Sequence, residues 1–442
     1  MNRSSDGFHF GNNSTQFNQR LNVSSNHPII QNTNDYFVYK KYVSIHSEDR
    51  DMLRFPDSSQ FEIELPEDMT NVYKLTLTDW TFPANYNTFS ILNENVAMTF
   101  KINIPYNPNE NAVQNDLSSA IFEALFLFNK DYFFIIEDGF YNPSQMSTTL
   151  TNKFNEAVSN QILVYFKTQI TNPLPPPAQP TTFWQQMLDE FISSGQYRRF
   201  VIVYNDVGQK FWFGNTADSF ILTSEAIAVY NALTPNILCG VRAAYKEFAS
   251  WGLPCNLGLS RCNITATKGS QTIDSIEVNY TPRFYYGDVF SGDNGYWLLP
   301  SPTLTGSYVY YAEANYKINL MGYSHFYMEI EGQNCLDETS PYNPSAFTFT
   351  RPNTTNGVVN SAFAKISVPT TPITQWFDRN SLPFKFYDPP ADKIRKLNIK
   401  LRYHNNQLVN FGAFNYSFTL EFTQMVSQFN RKLQVVNFTQ LG

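Results

Sequence analysis

Charged side chains are scarce in this chain of 442 residues: Asp, Glu, Lys and Arg make up only 16% of it, against roughly a quarter in an ordinary soluble domain. The formal net charge is −7, which excludes the basic footprint that grips nucleic-acid phosphates. One basic cluster stands out: Lys393, Arg395, Lys396, Lys400 and Arg402. It alternates with apolar residues and reads as the wet face of a strand.

Histidine is rarer still. His9, His27, His46, His325 and His404 are the whole supply. No nucleophile elbow, phosphate loop, dinucleotide-binding glycine motif or H-E-x-x-H helix occurs. A catalyst needs a nucleophile, a base and an electrophile that converge. The sequence offers no such set, so no catalytic, cofactor-binding or metal-ligating residue is assigned and the chain reads as a non-enzyme. The four cysteines, Cys239, Cys255, Cys262 and Cys335, match no zinc spacing. They read as buried thiols, with a Cys255–Cys262 bridge as the alternative.

Long apolar runs are missing too. A membrane helix needs about 18 unbroken apolar residues. The best stretch, Ile121 to Ile136, is broken by Glu123, Asn129, Lys130 and Asp131. The first residues lack an apolar core of the signal-peptide kind, so synthesis and use in the cytosol are expected.

What is abundant is aromatic and neutral polar: 39 Phe and 27 Tyr bring aromatics to 16%, and Asn, Thr, Ser and Gln fill the rest. A weakly charged, aromatic surface suits a protein packed permanently against neighbours. The length allows two or three domains, or one large all-β domain with insertions.

Residues 1–35 are Asn/Ser-rich with no period of 2 or 3.6, so they build no core of their own. An arm of this kind orders when something holds it, and it is expected to lie across partner subunits; the alternative is an arm folded back on its own domain. From Tyr36 the pattern turns to strands. Phe61, Ile63 and Leu65 alternate with Glu62 and Glu64, and Tyr73, Leu75 and Leu77 with Lys74, Thr76 and Thr78. Pro66 is expected to end the first of these strands and Pro83 the second.

The texture changes at about 105–235. Met146, Leu150, Phe154 and Val158 form a helical stripe, with Asn142 as cap, Pro143 in the first turn and Gln145 completing a capping box. A second helix is expected at 183–194, capped by Thr182, faced by Trp184, Leu188, Phe191 and Ile192, and stopped by Gly195. A stiff proline-rich spacer, 173–180, lies between them. Strands at 200–204 and 210–214 read as a hairpin.

The β pattern then returns. Ile276, Val278 and Tyr280 alternate, the stretches 308–320 and 325–331 are aromatic-rich, and Leu397, Ile399, Leu401 and Tyr403 alternate cleanly. Phe418, Leu420 and Phe422 follow a polar turn at 404–407. Neither β block has strands enough to cover its own apolar face, so the two are expected to form one sandwich split by an insertion.

Three constellations invite chemistry. HSEDRD at 46–51 gathers His46, Glu48, Asp49 and Asp51, but it misses the calcium-loop spacing and its glycine, and a polar turn with Arg50 pairing the acids is the plainer reading. Glu137, Asp138 and Asp293 are the carboxylates that a glycoside-processing site would need to pair across a cleft. Trp80, Trp184, Trp212 and Trp297 could stack on sugars or bases, but on strands and helix faces they serve more often as anchors of a core or an interface.

Several blocks in order carry a resemblance: YVSIHSEDRD, FPDSSQFEIELP and NVYKLTLTDWTFP over 42–83; IEDGFYNPSQMSTTLTNKFNEAV at 136–158; FVIVYNDVGQKFWFGNTADSFIL at 200–222; HFYMEIEG at 325–332 with AFAKISV at 362–368; and DKIRKLNIKLRYHNNQLVNFGAFNYSFTLEF at 392–422. Together they resemble the minor capsid proteins of the nucleocytoplasmic large DNA viruses. The resemblance implies an antiparallel jelly-roll β-sandwich beneath the outer shell of the virion, bridging trimers of the major capsid protein, with no catalytic residues. The expected partners are the major capsid protein, other minor capsid proteins and copies of this chain. No nucleic acid is expected, and nothing supports contact with an internal membrane beyond the apolar Ala124–Phe128 stretch.

The expected organisation is an extended arm at 1–35, the first half of the sandwich at 36–104, a small inserted α/β module at 105–235, the second half at 236–425 and a tail at 426–442. A double jelly roll is the alternative fold. An exposed jelly-roll spike or fibre protein that binds a receptor or glycan is the alternative function.

Overall fold

The computed structural model describes residues 36–83, 88–91, 93, 95–110, 115–172, 179–223, 252–280, 297–339, 360–368, 375–376, 382–404 and 406–427. The expected arm at 1–35, Cys239, Asp293, most of the proline-rich spacer and nearly all of the tail lie outside them.

The protein is mainly β. Every strand pairing among the described residues is antiparallel. The largest sheet joins the two ends of the chain. It contains β1 (Tyr36–His46), β2 (Gln60–Pro83), β13 (His325–Ile330), β16 (Ala364–Ser367), β18 (Phe384–Arg402) and β19 (Ser417–Ser427) in the order β1-β19-β2-β18-β13-β16, and β17 (Gln375–Trp376) pairs with β2. The expected union of early and late β blocks is thus realised. Period-2 alternation drives it, because it turns Leu75, Leu77, Leu397, Ile399, Leu401, Phe418, Leu420 and Phe422 onto one buried face. Phe82 centres this core, with Phe326 edge-on at 5.0 Å and Tyr416 at 4.8 Å.

Two expectations about β2 fail for physical reasons. Pro66 does not end the strand, which runs on to Pro83. The register against β18 slips between Ile394 and Lys396, opposite the Pro66 region, and a bulge is where a strand tolerates a residue with no N–H to donate. Tyr73 is exposed while Val72 is buried. Asn71, with φ of 51°, adopts the left-handed conformation that Asn accepts, and a second register slip between Phe386 and Ala391 accompanies it. The alternation therefore resets just before Tyr73.

A second hydrophobic core gathers residues from Phe89 to Leu320. Its strands are β3 (Ala97–Ile104), β4 (Tyr132–Ile135), β5 (Phe200–Asn205), β6 (Lys210–Asn215), β7 (Ser219–Thr223), β8 (Ile264–Thr265), β9 (Thr267–Lys268) and β12 (Tyr310–Glu313), in two four-stranded sheets ordered β4-β3-β7-β8 and β5-β6-β12-β9. Its helices are α1 (Asp116–Leu127), α2 (Pro143–Thr171), α3 (Thr181–Ser193) and the single turn α4 (Leu253–Asn256). This is the inserted α/β module, and its core is wider than 105–235. β3 pairs with β4 and β7 rather than with the large sheet, and β12 pairs with β6.

Asn142 caps α2 with the full capping box to Gln145. The stripe Met146, Leu150, Phe154 and Val158 is buried and continues to Ile162 and Phe166. Phe154 lies 4.3 Å from Phe100 and 5.0 Å from both Phe134 and Phe200, ring centre to ring centre. α3 begins at Thr181, with Pro180 at the cap position and no side-chain cap from Thr182. It buries Trp184, Met187, Leu188 and Phe191. Ile192 falls off that i, i+3, i+4, i+7 stripe and is exposed. Gly195, with φ of 88°, supplies the left-handed residue that ends the helix.

A short hairpin and a separate two-stranded pairing complete the described strands. β10 (Ser270–Ile273) and β11 (Ile276–Asn279) pair around Asp274 and Ser275, both at positive φ, the backbone of a tight two-residue hairpin. Ile276 and Tyr280 are exposed there, so the alternation marks a strand but no core. β14 (Leu336–Glu338) pairs with β15 (Asn360–Ala362) beside β13. The two segments that connect the cores lie side by side: a Cβ on Gly322 would come within 2.7 Å of the Thr88 side chain.

Candidate interaction surfaces

β2 and β18 run side by side and present two different outer faces. At one end the basic residues of β18 oppose acids of β2. Lys393 pairs with Asp68 at 2.5 Å, Lys396 with Glu62 at 3.2 Å and Arg395 with Glu64 at 3.6 Å. These pairs are exposed, neutralise one another and stabilise little, each about 0–1 kcal/mol. The wet-face reading holds for them.

Arg402 departs from that reading. Its side chain is buried, and it donates to Glu329 through Nε, to Glu338 through Nη2, and to the Tyr403 carbonyl at 3.3 Å. His404 Nδ1 lies 3.0 Å from the same Glu338 carboxylate. The guanidinium carbon sits 5.2 Å from the centre of the Tyr327 ring. His325 packs edge-on against that ring at 5.3 Å. Burial, then the charges of Lys365 and His404, hold the His325 pKa below its ordinary value. Arg402 therefore ties β18 to β13 and to the β14–β15 pair.

At the other end of β2 and β18, cross-strand register aligns two rows on the face opposite the core. One row is Tyr42, Glu421, Thr76 and Phe384, and the next is Lys40, Thr423, Lys74 and Phe386. Glu421 is almost fully buried, and it accepts from Tyr42 Oη at 2.8 Å and pairs with Lys40 at 2.9 Å. Desolvation raises its pKa, but the hydrogen bonds from Lys40 and Tyr42 outweigh it and leave the carboxyl below the ordinary carboxylate value.

Lys74 has no acidic partner among the described residues. Its ammonium sits 4.5 Å from the centre of the Phe384 ring and 5.3 Å from that of Phe386. Phe384 and Phe386 are themselves 47% and 53% exposed, and Tyr73 packs 5.5 Å from Phe386. Exposed aromatic rings around a cation on the outer face of a sheet form an unfinished contact surface. Tyr73 and Lys74 belong to strand motifs visible in the sequence. Their grouping with Phe384 and Phe386 depended on register, which the sequence did not reveal.

The HSEDRD turn is tightly built, and not as expected. Arg50 does not pair the acids. It donates to the carbonyls of Ser47 (2.7 Å), Phe55 (2.9 Å) and Pro56 (2.8 Å) and to Asn415 Oδ1 (2.8 Å). Asp51 accepts from the backbone N–H of Leu53 at 3.0 Å and of Arg54 at 3.2 Å. Glu48, Asp49 and Asp51 stay exposed. Met52 is 52% exposed and Leu53 99% exposed. Among the described residues no three His, Cys, Asp or Glu side chains converge as a metal site requires.

Elsewhere the polar groups serve the fold. Buried Asp218 accepts from Arg199 Nη1 at 2.9 and 3.0 Å, from Tyr197 Oη at 2.6 Å and from the Tyr106 N–H at 2.7 Å. Burial, then the Asp218 charge, pushes the Tyr197 phenol well above its ordinary pKa. Glu137 and Asp138 are adjacent exposed residues, and Asp138 accepts from the Ile91 N–H at 3.2 Å. Trp80 and Trp184 are buried in the two cores, and Trp212 packs edge-on to Trp297 at 5.7 Å. They anchor cores, as anticipated. Cys262 and Cys335 are exposed rather than buried, and Cys262 is a free thiol, so it forms no bridge to Cys255. In the Ala124–Phe128 stretch, Ala124 and Leu125 are buried while Phe126 and Leu127 are exposed. Among the described residues no helix is long and apolar enough to cross a membrane.

No protein-family model and no curated protein matches the chain. Among solved structures it is similar to the mavirus penton protein, at 8% identity and a TM-score of 0.33 over 88% of this chain and 100% of that one. It is also similar to a chain of the Sputnik virophage structure, at 11% identity and a TM-score of 0.34 over 88% of this chain and 98% of that one.

Proposed function

We propose that this chain is a structural, non-catalytic protein of a viral capsid, a minor capsid protein that lies beneath the major shell of a large icosahedral DNA virus and bridges capsomers. The observation that carries this reading is the outer sheet face around Lys74, Phe384 and Phe386, where an antiparallel sheet presents exposed aromatic rings around a cation. Such a surface suits contact with another protein. The ordered sequence blocks that resemble the minor capsid proteins name the class of partner: the major capsid protein, other minor capsid proteins and copies of this chain. Residues 1–35 would act as an arm that gains order on assembly and adds contact area without enlarging the core.

Limited proteolysis of intact virions and of opened virions tests the position of the chain. Protection in intact particles, lost when the shell is opened, is the expected result. Equal cleavage in both would place the chain outside and favour a spike or fibre that binds a receptor or glycan. Deleting residues 1–30 should leave a folded protein that fails to enter particles, and normal incorporation of the truncated chain would refute the role of the arm.

A further inference from the structure

We infer that two copies of this chain dock head to tail, the 47–57 turn of one copy seating on the Lys74–Phe384–Phe386 face of the next. The inference deepens the proposed function and rests on its reading of that face as an interface. Two features of opposite character carry it. The first is a knob: Leu53 stands wholly in water beside half-exposed Met52. Four acids (Glu48, Asp49, Asp51, Asp57) share its turn with two bases (Arg50, Arg54). Arg50 is spent on three carbonyls and Asn415, and Arg54 lies 3.7 Å from Glu62.

The knob is rigid. Arg50 and the Asp51 carboxylate lock its backbone, as does the Phe55 N–H donating to the Asp51 carbonyl at 2.8 Å. A preorganised loop loses little entropy when it binds. Holding an apolar side chain out on such a loop is unfavourable in a free monomer and favourable once a partner covers it.

The second feature is the socket. Tyr73, Phe384 and Phe386 supply apolar rings, and Lys74 supplies a cation with no acid to meet among the described residues. An apolar residue on a net-acidic turn matches a cation flanked by apolar rings in both charge and polarity. Two copies of β1 pairing edge to edge are a weaker solution, because Lys40 and Lys41 sit mid-strand on that edge and like charges there oppose pairing. A knob and a socket at different places on one body make a heterologous contact, which propagates into a ring or a chain of subunits rather than closing as a twofold dimer.

Sedimentation velocity of the full chain over a range of concentrations tests this. The wild type should associate beyond a dimer. Leu53→Asp and Lys74→Glu should each weaken association at least tenfold while leaving the melting temperature unchanged. Combining Lys74→Glu with Glu48→Lys and Asp49→Lys should restore association. A chain monomeric at every concentration, or one whose association ignores Leu53→Asp and Lys74→Glu, overturns the inference. A chain that fails this test but is recovered from intact virions leaves the capsid reading standing. One that passes but is absent from virions keeps the docking and sinks the capsid reading.

Discussion

The same two strands, β2 and β18, end in opposite states. At the Glu62–Lys396 end every basic residue of β18 finds an acid on β2 or β13, and the surface is complete in water. At the Lys74–Phe386 end the cation rests on exposed rings and no acid among the described residues completes it. The backbone pairing is alike at both ends, so the pairing does not make the difference. Which side chains the register brings together does. A charged ladder keeps one stretch solvated, and an aromatic stretch leaves the other in need of a partner.

The sharpest way to probe the contrast is at Arg402, where the basic pattern turns inward. Arg402→Ala removes the buried cation that joins Glu329 to the buried Glu338 carboxylate and should cost about 3–5 kcal/mol of stability in urea unfolding. By contrast, Lys396→Ala, which removes a half-exposed side chain paired with the solvent-facing Glu62 and Glu64, should cost at most about 0.5 kcal/mol, and less as salt is raised. Comparable losses at the two sites would erase the distinction between inward and outward basic residues.

At the aromatic end, replacing both Phe384 and Phe386 with Ser should leave stability within about 1 kcal/mol, since both rings are exposed, while association weakens. A loss of several kcal/mol would make those rings part of the fold rather than a contact surface. The smallest expected effect is one of pH. His325 has a lowered pKa, so it binds its proton less readily folded than unfolded. Its contribution to stability is present above the ordinary value of 6.5 and fades as pH falls through the lowered value. His325→Gln should flatten the stability profile between about pH 7 and pH 5; an unchanged slope in thermal melts would remove His325 from the account.

Much of this architecture was legible in the sequence. Clean alternation at Leu397–Tyr403 and Phe418–Phe422 marked the core strands, and the four-residue stripe from Met146 with its Asn-Pro-Ser-Gln cap marked α2. Local signals of this kind depend on a residue's near neighbours. The breaks came where long-range register decided. Pro66 was absorbed into a bulge, Asn71 reset the phase before Tyr73, and the β3 strand joined β4 and β7 rather than the large sheet. Arg402 looked like its basic neighbours because its partners, Glu329 and Glu338, lie more than sixty residues away in sequence. The aromatic face was invisible for the same reason: Lys74 and Phe386 meet only because β2 and β18 pair as they do.

The most direct test compares lysine accessibility in the free chain and in purified virions, by acetylation read residue by residue in mass spectrometry. Lys74 should be labelled in the free chain and protected in the virion, while Lys393 and Lys396 stay labelled in both. Equal labelling of Lys74 in the two states would contradict the claim that this sheet face is the surface the protein uses.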